Sequence, residues 1–200
     1  MMLMSRLLVI LATLLSLVPE GRSADPPGYG PWRLGMSKEQ VRALSKDGPY
    51  VAVSATGGLE TANGSFNGRK TNVSFVFGER GLRKIQIWAY EGEDRDKAIE
   101  AWHRVHKHLV KNYGVVKTPA FELAKEADSK AFSTAAARAL AEQPADRVAN
   151  LQMAPLNQPN GMIVYSSILR HPERGYYVFL YYQELNRSAV EPAHREKNRG

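Results

Sequence analysis

An Asn67-Gly68 pair stands between two runs that alternate apolar and polar residues, and it commits this part of the chain to an antiparallel hairpin. A two-residue link needs positive φ at both positions, which Asn and Gly adopt at least cost. The flanking runs, Leu59–Phe66 and Lys70–Phe77, read as adjacent strands. In the second, Thr71, Val73, Phe75 and Phe77 share one face, because side chains alternate along a strand. Gly78-Glu79-Arg80-Gly81 turns the chain back into a third strand, Leu82–Tyr90. Regular alternation puts Ile85, Ile87 and Ala89 on the apolar face and Lys84, Gln86, Trp88 and Tyr90 on the other.

Glu93–Tyr113 is the strongest helical stretch. Ala98, Trp102, Val105, Leu109 and Tyr113 recur at three- and four-residue intervals. Acidic residues open it, Lys107 and Lys111 lie near its end, and Gly114 is placed to stop it. Residues 119–144 are rich in Ala, Lys and Glu and read as one or two helices, with Phe121, Phe132 and Leu140 as a thin apolar stripe. Three more strands follow, Val148–Met153, Met162–Leu169 and Tyr176–Glu184. Strands in consecutive runs separated by helix indicate an α+β fold: an antiparallel meander sheet of about six strands, with helices packed on one face. The β-α-β alternation and Gly-rich phosphate loop of nucleotide-binding domains are missing.

Ahead of the strands, Ser37 and Gln40 form a capping-box pattern, and Met36 and Val41 occupy the hydrophobic-staple positions. They predict a helix over about Lys38–Lys46, ended near Gly48-Pro49. The segment Leu34-Gly35-Met36-Ser37-Lys38-Glu39-Gln40-Val41-Arg42-Ala43-Leu44, followed by a meander, resembles the opening of small bacterial envelope domains. It is similar to the small outer-membrane-assembly lipoproteins (SmpA/OmlA) and the related β-lactamase-inhibitor-protein repeats, over about residues 32–90. The resemblance implies an envelope domain whose sheet face or loops bind another protein, closest to an uncharacterised periplasmic branch. Neither lipid anchoring nor lactamase inhibition carries over, since the first needs a cysteine and the second comes with disulfides, and the chain has 0 Cys.

The first residues bear on location. Arg6 precedes an apolar run of 12 residues, Leu7–Val18, and Pro19, Gly21, Ser23 and Ala24 follow. A hydrocarbon core needs about 20 residues, so the pattern is that of a secretory signal peptide, cut after Ser23 or Ala24. The expected layout is a signal peptide over 1–23, a flexible lead-in over 24–31, one α+β domain over 32–186, and a disordered basic tail over 187–200. Segments 32–114 and 115–186 are candidate sub-halves of that domain. The expected location is periplasmic or secreted, with no transmembrane segment in the mature chain. Lack of cysteine favours a bacterial envelope and excludes thiol catalysis and Cys-bound metals. The net charge of +7 fits attraction to an anionic surface. An envelope protein or such a surface is the expected partner, and nucleic acid is not.

His103, His106 and His108 fall in the long helix, but Arg104, Lys107 and Lys111 among them oppose a metal ion. The expectation is no metal and no cofactor. Gly-x-Ser-x-Gly and His-Glu-x-x-His are absent, and no catalytic residue is singled out. The strand Tyr176-Tyr177-Val178-Phe179-Leu180-Tyr181-Tyr182 is the most unusual stretch. One reading is a central strand covered on both faces. The other exposes a tyrosine row beside the aromatics of Leu82–Tyr90, which makes Trp88, Tyr90, Tyr177 and Tyr181 candidate binding residues. The expected function is an exported, non-enzymatic protein-binding or structural module. The alternative is a small hydrolase or ligand-binding periplasmic protein.

Overall fold

The computed structural model describes residues 27–122 and 128–185. The expected signal peptide, the start of the lead-in and the basic tail lie outside the described residues. In chain order the elements are β1 (Gly28–Tyr29), β2 (Trp32–Arg33), α1 (Lys38–Arg42), β3 (Val51–Val53), β4 (Gly58–Phe66), β5 (Arg69–Gly78), β6 (Gly81–Gly92), α2 (Arg95–Tyr113), β7 (Val116–Lys117), α3 (Ser129–Ala141), β8 (Ala149–Pro155), β9 (Met162–His171) and β10 (Gly175–Glu184).

The capping box forms as the sequence predicts. Gln40 N–H donates to Ser37 Oγ at 3.2 Å, and Ser37 N–H donates to Gln40 Oε1 at 2.8 Å. The helix is shorter than expected. It stops at Arg42, and a 3-10 turn over Ser45–Asp47 carries the chain to Gly48. Residues 28–29, within the stretch expected as lead-in, pair with Trp32 and Arg33. Asn67 and Gly68 both have positive φ, 49° and 74°, as the tight hairpin requires. Gly81 is needed for a different reason. At φ +98° a Cβ there would lie 2.4 Å from the Gly35 carbonyl oxygen, and this contact seats the β5–β6 turn against the chain entering α1.

One antiparallel sheet of eight strands runs in the order β3-β4-β5-β6-β10-β9-β8-β7. It corrects the expected count of about six. The two extra strands, β3 and β7, are 3 and 2 residues long, too short to carry a readable alternation, and they lie at the edges. The sheet is two meanders joined at its centre, where β6 pairs with β10 through Ile87–Leu180 and Ile85–Tyr182.

The helices lie on one face. That face is the core: Val73, Phe75, Ile85, Ile87, Leu180 and Tyr182 are all buried. α2 sets Trp102, Val105 and Leu109 against it. Asp94 caps this helix, its carboxylate accepting from the N–H groups of Asp96 and Lys97, and Gly114 ends it at φ +79°. α3 packs on α2, with Phe132 edge-on to Trp102 at 5.5 Å. The Arg170 guanidinium donates to the carbonyls of Leu140, Gln143 and Pro144, which satisfies acceptors at and beyond the end of α3. The long helix does not cover the whole meander. Phe75 is met by Trp32 at 5.1 Å and Tyr50 at 5.9 Å, so the N-terminal segment roofs the β4–β5 side. Trp32 Nε1 donates to the Tyr50 hydroxyl at 3.1 Å, and that hydroxyl donates to the Leu44 carbonyl at 3.1 Å.

Candidate functional site

The face of the sheet opposite α2 carries aromatic side chains from three neighbouring strands. On β10, register puts Tyr176, Val178, Leu180 and Tyr182 toward the helices and Tyr177, Phe179 and Tyr181 toward the other side. The outward three form a continuous row. Tyr177 stacks on Phe179 with centroids 6.0 Å apart, and Phe179 meets Tyr181 at 5.7 Å. From β6, Trp88 stands edge-on to Phe179 at 5.0 Å and to Tyr177 at 6.2 Å. From β9, Tyr165 stacks on Tyr181 at 4.5 Å. Each such pair contributes about 0.5–1.5 kcal/mol beyond its buried area, so the row is held in place by its own contacts.

Polar groups fix its border. Trp88 Nε1 donates to Ser74 Oγ at 2.9 Å, and Ser74 Oγ donates to Glu60 Oε1 at 2.8 Å. The chain of bonds crosses β6, β5 and β4 and holds the indole at one angle. Lys84 Nζ sits 4.3 Å from the Tyr181 ring centroid, within cation–π range. Burial lowers the Lys84 ammonium from its ordinary value, and neighbouring Arg83 adds to the shift. Burial raises the Tyr165 and Tyr181 phenols, which keeps both neutral at physiological pH. Phe179 is 8% exposed, while Trp88, Tyr165, Tyr177 and Tyr181 are half-buried.

Of the four residues expected from sequence, Trp88, Tyr177 and Tyr181 come together and Tyr90 does not. β6 has a bulge here. It pairs Trp88 with Phe179 and Tyr90 with Val178, leaving Ala89 unpaired between them. The extra residue reverses the alternation. Tyr90 turns to the helix face and packs against the core, and its hydroxyl accepts from the Asp94 N–H at 3.2 Å. Sequence reasoning left three members of the cluster out of the site: Phe179, Tyr165 and Lys84. Phe179 is legible from alternation within β10. Tyr165 and Lys84 need the pairing of β10 with β9 and β6.

The histidines divide between two surroundings. His103 and His106 pack on the Phe132 ring at 4.9 and 5.0 Å. Burial lowers both imidazoles, with Lys107 and Arg104 adding to the shift at His103 and His103 adding at His106. His108 lies on the other flank of α2. Its Nε2 is 3.1 Å from the buried Tyr182 hydroxyl, and its ring meets Phe66 at 5.2 Å. Among the described residues, no three His, Asp or Glu side chains are grouped to hold a metal ion, and no helix is long and apolar enough to cross a membrane. Comparison with family models, with curated proteins and with solved structures found no match.

Proposed function

We propose that this chain is an exported, non-catalytic module of the bacterial envelope, and that the aromatic face of its sheet binds a protein partner. The observation that carries the reading is the half-buried cluster of Trp88, Tyr165, Tyr177 and Tyr181 around Phe179, on the face away from both long helices. Rigid aromatics with little rotamer entropy left to lose, bordered by satisfied polar groups, are what a protein interface core needs. Tyr and Trp also bind while keeping a polar edge wet, which lets the free protein stay in solution.

The export part rests on the N-terminal pattern, a single cation before a 12-residue apolar run broken only by Thr13 and Ser16, and a small-residue exit. The Leu34–Leu44 segment adds support through its resemblance to small envelope domains. Expression in a bacterial host tests location. The protein should be recovered from the periplasmic fraction, shortened by about 23 residues as the signal pattern requires. Full-length protein held in the cytosol would overturn it. The binding part is tested by Trp88→Ala and Tyr181→Ala, each of which should weaken partner capture while the fold is retained. Capture unchanged in both would remove this face as the site.

A further inference from the structure

On the opposite side of the molecule, α2 and the tip of the β4–β5 hairpin border an open concavity of about 480 Å³. Its lining is Asn67, Arg104, Lys107, His108, Lys111 and Asn112. Three cations and two amides converge there with no carboxylate in the lining. Among the described residues, none of Arg104, Lys107 and Lys111 has a carboxylate oxygen within 4.0 Å, and the ion pairs of the molecule lie elsewhere. Arg69, on the hairpin, brings a further positive charge toward Arg104, which the Glu100 carboxylate one turn earlier on α2 partly offsets. Lys111 in the last turn offsets the helix dipole, but that need accounts for one cation and not for the group. Like charges gathered without partners repel one another in the free protein, and an anion relieves that repulsion.

The floor is rigid. His108 is held by the Tyr182 hydroxyl on one side, and Asn112 Nδ2 donates to the His108 carbonyl at 2.7 Å and lies 3.4 Å from its ring Nδ1. Tyr29 closes on the same ring at 6.4 Å. Opposite, Asn67 stands exposed at the tight turn, where its positive φ of 49° fixes the backbone. A volume of this size suits more than a bare ion.

We propose that this concavity is a binding site for a phosphate group carried on a small polar molecule, with Arg104, Lys107 and Lys111 balancing its charge and Asn67 donating to an oxygen. Two sources share that chemistry: a soluble phosphate monoester, and the phosphodiester of a lipid headgroup. His108 is a positioning residue, since both of its ring nitrogens are engaged by the protein.

The site is tested by titrating the folded protein with glycerol 3-phosphate and, separately, with glycerophosphoglycerol, at constant ionic strength set with chloride. Saturable NMR shifts at the side-chain amides of Asn67 and Asn112 are expected with at least one probe. Tighter binding of the first identifies a soluble monoester, and of the second a lipid headgroup. The double variant K107A/K111A removes two exposed charges and should keep the wild-type Tm while weakening binding by about tenfold or more, as loss of charge-assisted contacts does. Trp88→Ala should bind both probes as the wild type does, which separates this site from the aromatic face. No saturable shift with either probe, or undiminished binding by K107A/K111A, would overturn the proposal.

Discussion

Trp88 and Tyr90 stand on opposite faces of the sheet although they are two residues apart in one strand. The unpaired Ala89 separates their roles. Trp88 joins the aromatic row, and Tyr90 seats the start of α2 through its hydrogen bond with the Asp94 N–H. Tyr90→Phe should therefore lower stability by about 0.5–1.5 kcal/mol, the usual net worth of one hydrogen bond, and leave partner binding unchanged. Equilibrium unfolding and capture, run on the same protein, check both halves.

Phe75 is 1% exposed beneath Trp32 and Tyr50, whereas Trp88 is only half-buried. Phe75→Ala should cost about 3–5 kcal/mol in urea unfolding, as truncation of a buried Phe does. Trp88→Ala should cost well under that, since a half-buried side chain has less apolar surface to lose from the interior. Equal large losses would mean the aromatic face is as deeply buried as the core.

The Asn67-Gly68 turn offers a purely conformational test. A Cβ at Gly68 would touch nothing within 4 Å, but φ is +74°. Gly68→Ala should cost about 1–2 kcal/mol from left-handed backbone strain alone. Its Tm should fall while its near-UV spectrum stays native.

Acid should weaken the fold before the carboxylates titrate. His103, His106 and His108 are all lowered from 6.5, chiefly by burial. The unfolded chain thus binds protons at a higher pH than the native one, so stability is full above about 6.5 and is lost as pH falls toward the native values. The carboxylates of Asp94 and Glu39 are lowered from 3.8 and 4.5, mainly by hydrogen bonds, so their contribution fades only in a more acidic window. Tm should decline between pH 7 and 5, and His103→Gln with His106→Gln should flatten that slope. A Tm independent of pH over this range would contradict the burial of these rings.

The legible parts of the fold are those that local chemistry decides. Ser37 with Gln40, Asn67 with Gly68, and the apolar stripe of Trp102, Val105 and Leu109 each specify an element from neighbouring residues. The six longer strands follow from alternation. The rest depends on partners distant in sequence. β3 and β7 exist because an edge of the sheet is there to pair with them. The Ala89 bulge arises where β6 meets β10, and nothing in Ile87-Trp88-Ala89-Tyr90 announces it. The same holds for the candidate site. Tyr177 and Tyr181 share a face by alternation, but Tyr165 reaches Tyr181 only through the β9–β10 register, in which the two are directly paired.

The central claim is that the aromatic face, and not the helical side, meets the partner. It is tested most directly by placing a photo-crosslinking benzoylphenylalanine at Tyr177 and, in a second variant, at Val110, which is 42% exposed on α2. Both proteins are irradiated in the periplasm of the producing cell. The account expects a discrete adduct from position 177, lost when Trp88→Ala is added, and none from position 110. Adducts from position 110 alone, or equal adducts from both that survive Trp88→Ala, would contradict it.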